Sequence, residues 1–260
     1  EALAAAREIG YEYNRAEALA AVAPHLPPEL LPQALAAAME IGDEYWRAEA
    51  LAALAPRLAE LGYPQEALAA AREIRDERWR ARALAALAPQ LPEGLREQTL
   101  REALAAAREI GDESARTKAL AALAPHLPPK QRPHVLAEAL AAAREIRDES
   151  WRAEALADLA SHLPPDLLKQ ALDTARELPE TGLFGSPSAE ALAALAPHLP
   201  PGTREQVLRV ALMAAAQVEQ RAIITDDCEA GSASTHVSVP DTRAMILKKL
   251  APRLAELSRP

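Results

Sequence analysis

Histidine, cysteine and acidic side chains are the residues of this chain that could bind a metal or catalyse a reaction. A polar stretch near the C-terminal end contains zinc-ligand types, but no CxxC or HxxxH pair accompanies them. These residues are Asp226, Asp227, Cys228 and His236. A second set of histidines recurs at one position of a sequence repeat: His25, His126, His162 and His198. Packed helices lie about 10 Å apart, whereas zinc ligands lie about 2 Å from the metal. Histidines on successive repeat units are therefore too far apart to bind one zinc ion together. We therefore expect exposed histidines, and neither a metal site nor a cofactor.

Motifs of common enzyme classes are absent from the sequence. It has no GxSxG nucleophile motif, no Gly-Lys phosphate loop and no HExxH zinc motif. Acidic residues are abundant, but they recur with the repeat, as surface positions do. We expect no enzymatic activity.

Two further columns of repeated residues are candidates for binding a protein or peptide partner. One contains Arg7, Met39, Arg72, Arg108, Arg144 and Arg176; the other contains Trp46, Trp79 and Trp151. Arginine forms bidentate pairs with carboxylates, and tryptophan is common at binding hot spots. The alternatives are a solvated charged face for the arginines, and packing in the core or between units for the tryptophans.

The elements that would position these columns are pairs of short helices. A first-helix frame, ALAAAREI, begins at Ala2, Ala34, Ala67, Ala103 and Ala139, with weaker copies at Ala171 and Ala211. A second-helix frame, ALAALAPHL, has its leading leucine at Leu19, Leu51, Leu84, Leu120, Leu156, Leu192 and Leu247. Helical pairs repeating at such intervals are typical of α-solenoids, in which neighbouring units complete each other's core. The sequence predicts an all-α fold, an α-solenoid of about seven two-helix repeats in a superhelical array.

Each second helix carries an apolar stripe with leucines at i, i+3 and i+7, such as Leu51, Leu54 and Leu58. The alanine-rich first helices allow close approach of helix backbones. We expect Pro24, Pro56, Pro89, Pro125, Pro197 and Pro252 to kink or end the second helices.

The turn inside each unit has its own pattern. Gly10, Gly42 and Gly111 are suited to a left-handed residue that ends the first helix, although Arg75 and Arg147 replace the glycine in two units. An aspartate then follows as the expected N-cap of the second helix: Asp43, Asp76, Asp112 or Asp148. An arginine four residues later could pair with this aspartate.

Composition restricts the partners and the compartment. The net charge of −9 disfavours a nucleic-acid or anionic-membrane binder, which usually needs a basic surface. No apolar run is long enough for a membrane span. The single cysteine fits a reducing compartment, so we expect a cytoplasmic protein.

The predicted domain organisation is a single repeat domain over residues 1–260. Its units are residues 1–28, 29–64, 65–92, 93–129, 130–165, 166–201 and 202–260. Residues 178–188 are rich in glycine, proline and serine and predict a loop, and the polar insert 219–242 predicts a surface loop. Both termini resemble the interior of a repeat array, which suggests a fragment of a longer chain with an effector domain outside this segment.

The strings GDEYWRAEALAALAP and PHLPP resemble the second half of a tetratricopeptide repeat. Ala16, Ala23 and Pro28 match its spacing, although the Trp, Leu, Gly and Tyr pattern of the first half is absent. The segment LAALAPHL also resembles the first helix of a HEAT repeat, and the whole text is similar to Ala-Leu repeats of bacterial signalling proteins with STAND NTPase or caspase-like modules. The resemblance implies a sensor or scaffold array whose first helices line a concave binding face. The alternative is a structural spacer that positions an effector domain and has no ligand of its own.

Overall fold

A computed structural model describes residues 1–180 and 186–229 of the chain, with the backbone alone described for residues 216–229. All regular secondary structure in these ranges is helical, which confirms the all-α prediction. The α-helices are α1 (Ala2–Glu8), α2 (Glu12–Val22), α3 (Leu31–Met39), α4 (Glu44–Glu60), α5 (Pro64–Arg72), α6 (Glu77–Leu87), α7 (Glu93–Glu109), α8 (Glu113–Leu123), α9 (Arg132–Glu145), α10 (Glu149–Leu159), α11 (Pro165–Arg176), α12 (Pro187–Leu195) and α13 (Pro201–Glu229).

The helices belong to two compact units, residues 1–132 and residues from 133 onward. In the first unit, α2 packs on α4, α4 on α6 and α6 on α8, while α3, α5 and α7 pack against the helices that follow them. In the second unit, α12 packs on α10, α11 and α13. We call the odd-numbered helices the first helices and the even-numbered ones the second helices, because they coincide with the two sequence frames.

Leucine and alanine form the core. Leu51, Leu54 and Leu58 are at most 2% exposed, as the predicted apolar stripe of α4 requires. Each such leucine contributes about 2 kcal/mol on burial. Ala34 and Ala67 of the first helices are completely buried, which lets the helix backbones approach closely.

The predicted aspartate N-caps are confirmed. Asp43 accepts hydrogen bonds from the backbone N–H groups of Tyr45 and Trp46, at 2.9 and 3.2 Å. The other three caps accept from the N–H group three residues later, at 2.7–3.1 Å: Asp76 from Trp79, Asp112 from Ala115 and Asp148 from Trp151. Each cap fixes the start of a second helix, and in three of the four it holds the backbone of a tryptophan.

The prediction of left-handed glycines in these turns is wrong. Among the described residues, Gly62 is the one glycine with a positive φ, and Gly10, Gly42 and Gly111 do not share it. The chain leaves the first helix through an extended isoleucine instead, for example Ile9 with φ −67° and ψ 118°. Because the following glycine has no positive φ, its position does not require glycine, and arginine can stand there in two of the units.

An arginine lies four residues after each capping position. It donates to the backbone carbonyl of the isoleucine that ends the first helix, instead of pairing with the capping residue. We call this set the turn arginines: Arg15, Arg47, Arg80, Arg116 and Arg152. Their guanidinium nitrogens lie 2.8–3.2 Å from the carbonyl oxygens of Ile9, Ile41, Ile74, Ile110 and Ile146. A carbonyl at a helix end has no partner within the helix, and the turn arginine supplies one.

Four of the second helices end just before the repeated proline, as predicted. Helices α2, α6, α8 and α12 stop before Pro24, Pro89, Pro125 and Pro197, and each continues as one turn of 3-10 helix. Pro56 lies inside α4, which continues to Glu60, so this proline does not end its helix. Pro252 lies outside the described residues.

The difference arises from a second proline. Leu26 precedes Pro27 and is extended, with ψ 131°, because the residue before a proline avoids the helical region. In α4 the corresponding Leu58 precedes Ala59, so the helix continues until Gly62, with φ 88°, ends it. There the N–H of Tyr63 donates to the carbonyl of Leu58, and the N–H of Gly62 donates to the carbonyl of Ala59. These two hydrogen bonds form a Schellman motif.

The structure differs for the two predicted loops, residues 178–188 and 219–242. The loop at residues 178–188 is bounded by Arg176, where α11 ends, and Pro187, where α12 begins; residues 181–185 lie outside the described ranges. Helix α13 extends to Glu229, so the loop prediction is wrong for residues 219–229, which contain neither proline nor glycine. Residues 230–242, and the second-helix frame at Leu247, lie outside the described ranges. None of the described helices combines the length and the apolar character of a membrane span.

Candidate functional site

The arginines predicted to bind a partner from the first helices make contacts within the chain. Arg72 donates through Nε and Nη2 to both carboxylate oxygens of Glu102, at 2.8 Å each. Arg7 lies 3.9 Å from Glu40, which is a weaker ion pair. Because Glu40 and Glu102 belong to the next first helix or its end, these contacts join successive first helices.

The same column continues in the second unit. Arg144 donates to Thr174 Oγ1 at 2.8 Å and to the carbonyl of Gln170 at 3.1 Å, and Arg176 lies 3.5 Å from Asp173. Arg108 also interacts within the chain, and Met39, which interrupts the column, is 43% exposed. We call the five arginines of this column the first-helix arginines.

The Arg72–Glu102 pair is the strongest of these contacts electrostatically. The hydrogen bonds from Arg72 lower the pKa of Glu102, and the same bonds raise the pKa of Arg72. Both side chains remain partly exposed, so water and salt screen the pair.

The three candidate tryptophans differ in their contacts and in their exposure. Trp46 and Trp79 join through Tyr45, whose ring centroid lies 4.4 Å from Trp46 and 4.9 Å from Trp79, and Tyr13 lies 4.7 Å from Trp46. All three contacts are edge-to-face, the arrangement that aromatic quadrupoles favour. We call Tyr13, Trp46, Tyr45 and Trp79 the aromatic ladder. Trp151 lies in the second unit and is 55% exposed.

The ladder runs across the start of α2, α4 and α6. Tyr13 and Tyr45 are about half exposed, Trp46 is half-buried, and Trp79 at the far end is 9% exposed. Arg82 covers Trp79, with its guanidinium carbon 5.1 Å from the ring centroid. Tyr13 and Tyr45, which occupy one repeat position 32 residues apart, were not candidates at the sequence level, although their place beside the tryptophan column was the available signal.

A groove of about 580 Å³ adjoins the buried end of the ladder, between α6 and α8. Trp79 forms one wall, and alanines of both helices form the floor. Three of its lining side chains are cationic: Arg78, Arg82 and Lys118. The imidazole of His126 also lines the groove, and no carboxylate is among its lining residues. Arg78, Arg82 and Lys118 are exposed, and Lys118 has a further interaction within the chain. We call this the α6–α8 groove.

The groove occurs where three residues depart from the repeat. Ala115 occupies the repeat position of Trp46, Trp79 and Trp151, which is Asn14 in the first unit and Pro187 in the sixth, so the α8 side of the groove has no ring. Arg82 and Lys118 occupy a position that is glutamate in the other units with a described second helix: Glu17, Glu49, Glu154 and Glu190. The predicted binding columns consist of residues that recur, whereas the residues that mark this groove differ from the repeat.

Two further clefts lie beside the proline turns, one of about 330 Å³ against α7 and one of about 580 Å³ against α11. Their arginines bind the backbone of the turn: Arg96 and Arg132 donate to Leu91 and Leu127, and Arg204 to Leu199, at 2.8–3.2 Å. These arginines stabilise the turn that follows each 3-10 helix.

The histidine column is exposed, as predicted. Within the part of the chain whose side chains are described, no group of three His, Cys, Asp or Glu residues is close enough to hold a metal ion. The side chains of Asp226, Asp227 and Cys228, and all of His236, fall outside that part.

No protein-family model matches the chain, and comparisons with curated proteins and with solved structures find no match either.

Proposed function

We propose that the chain is a protein or peptide interaction module, built as an α-solenoid of about seven two-helix units, with the α6–α8 groove as its binding site. The stacking of α2, α4, α6 and α8 in chain order supports the solenoid. On this proposal the chain is a sensor or scaffold array in the cytoplasm. Its resemblance to repeats of bacterial signalling proteins suggests that an effector domain is attached to it.

One observation carries the binding proposal: the groove forms where the repeat is broken. A spacer would need only the repeat itself, with the glutamates of the other units at positions 82 and 118 and, at position 115, the tryptophan that three units have. The chain has a small residue and two cations there instead. The resulting cavity has the volume of a typical ligand pocket.

A different observation favours the structural spacer. The first-helix arginines, which were expected to face a ligand, are used for contacts within the chain. If the side chains of the second helices also had all their partners within the chain, the array would have no ligand of its own.

A selection from a displayed random-peptide library, with the folded chain immobilised, tests the two proposals. We expect peptides that bind the parent chain and are lost when Ala115→Trp restores the ring of the repeat in the groove. The matched control is Ala105→Trp, at an exposed alanine of first helix α7, which should keep these peptides. Circular dichroism checks that both variants retain the helicity of the parent.

The other outcomes decide against the groove. Peptides lost in Ala105→Trp but kept in Ala115→Trp would place binding on the first helices. Selection of no peptide by the helical parent chain would favour the spacer.

A further inference from the structure

The charge of the α6–α8 groove is opposite to that of the chain. The chain has a net charge of −9, yet the residues lining the groove include Arg78, Arg82 and Lys118 and no aspartate or glutamate. Charge complementarity sets partner choice and association rate at an interface more than it sets affinity. Carboxylates on a ligand should therefore favour its selection by this groove and raise its association rate.

The cations are placed on both sides of the groove. Arg78 and Arg82 belong to α6 and Lys118 to α8, so an extended segment lying between the helices would have a cation on each flank. Arg82 is held over the Trp79 ring at 5.1 Å, which restricts its conformations before any ligand arrives. Arginine can bind a carboxylate through two parallel hydrogen bonds.

The floor of the groove suits an apolar side chain. Ala85 and Ala86 of α6 and Ala119 and Ala122 of α8 extend no further than Cβ, so a ligand can approach the helices closely. Ala115 stands where the repeat has a tryptophan, so the space beside it accepts a large apolar side chain.

Resting on the proposed function, we propose that the ligand of the α6–α8 groove is an acidic peptide segment with a single large apolar side chain as its anchor. The anchor would occupy the space beside Ala115 and Trp79, and the flanking carboxylates would pair with Arg78, Arg82 and Lys118. A nucleic acid suits the site less, because a long polyanion would also meet the acidic surface of the remaining units.

Fluorescence anisotropy with three labelled peptides of equal length tests this ligand class. Each peptide has a central phenylalanine, flanked by glutamates in the first, glutamines in the second and lysines in the third. We expect the glutamate peptide to bind the parent chain at least about tenfold more tightly than the glutamine peptide at low salt, and the lysine peptide not to bind.

Two variants test the position of the site. Arg82→Glu combined with Lys118→Glu restores the glutamates of the repeat and should remove the preference for the glutamate peptide. Arg75→Glu combined with Arg147→Glu makes the same charge change at two exposed turn positions and should keep it. Ala115→Trp leaves all the cations in place and should weaken the binding of the glutamate peptide by blocking its anchor.

The results distinguish failure of this inference from failure of the proposed function. Equal binding of the three peptides, lost in Ala115→Trp, would retain the groove as a peptide site and overturn the acidic ligand. Equal weakening by the two double variants would overturn the assignment of the carboxylates to this groove. Absence of binding by the glutamate peptide overturns the inference, whatever the library selection yields. A labelled DNA duplex that binds the parent but not Arg82→Glu/Lys118→Glu would replace the peptide by a nucleic acid.

Discussion

Arg47 is a turn arginine and Arg72 a first-helix arginine; the two columns recur with the same period, but these two side chains have different partners. Other members share partner types, since Arg80 also pairs with Glu109 and Arg144 also donates to a backbone carbonyl. Arg47 donates to the carbonyl oxygens of Ile41 and Gly42, at 2.9 and 3.3 Å, and is partly buried. Arg72 pairs with the carboxylate of Glu102 and is more exposed. A backbone carbonyl at a helix end has few other partners, whereas a surface carboxylate can be solvated by water. The comparison therefore teaches that equal recurrence in a sequence does not imply equal contribution to stability.

The largest expected effect is that of removing a turn arginine. Replacing Arg47 by methionine keeps much of the apolar stem but leaves the Ile41 carbonyl without its donor, which should lower the free energy of unfolding by about 2 kcal/mol. Urea denaturation at low and high salt measures this, and the loss should be nearly the same at both. Glu49→Gln, on the same helix, is the control. A loss that disappears in high salt would show that the two sets of arginines act alike.

A smaller effect is expected for Arg72→Met. An exposed ion pair typically contributes about 0.5 kcal/mol to stability. The Arg72–Glu102 pair is bidentate, which places its contribution toward the upper part of the usual range of such pairs. We expect this loss at low salt and little of it at high salt, because the partners are screened. A double-mutant cycle with Glu102→Gln isolates the pair. A coupling energy as large as the Arg47 effect would contradict the distinction drawn between the two regions.

The smallest effect concerns pH. The pKa of Glu102 is lowered in the folded chain, chiefly by the hydrogen bonds from Arg72, so its contribution is present above the pKa of the unfolded chain. It is lost as the pH falls through the lowered pKa, in the acid range. The difference in stability between the parent and Glu102→Gln should therefore shrink on acidification, by no more than a few tenths of a kcal/mol for so exposed a pair.

The same titration in the Arg72→Met background provides the control. Without its donor, the pKa of Glu102 should return toward the ordinary value, and the pH dependence of the difference should weaken. An unchanged pH dependence would assign the lowered pKa to other groups.

Local signals in the sequence predict much of this fold. The leucine stripe of α4 and the capping role of Asp43 depend on neighbours within one or two turns, so spacing alone identifies them. The repeated proline alone does not predict where α4 ends, because the end depends on the residue after Leu58, which is alanine there and proline in the corresponding place after Leu26.

The candidate site was less predictable for a related reason. The tryptophan column includes Trp79, which lines the groove, but the column gives no signal for Ala115. Partners of the first-helix arginines could not be read from one helix, because Arg72 and Glu102 lie 30 residues apart and meet only through packing. Recurrence identifies the scaffold, and departures from recurrence identify the proposed site.

The aromatic ladder also has an optical consequence. Tyrosine excitation passes readily to a nearby tryptophan, and the rings of Tyr13 and Tyr45 lie within 5 Å of Trp46 or Trp79. Light absorbed by these tyrosines is therefore emitted largely by the two indoles. Since Trp79 is also a wall of the groove, the chain has an intrinsic fluorophore at the place where its proposed ligand would bind, without any added label.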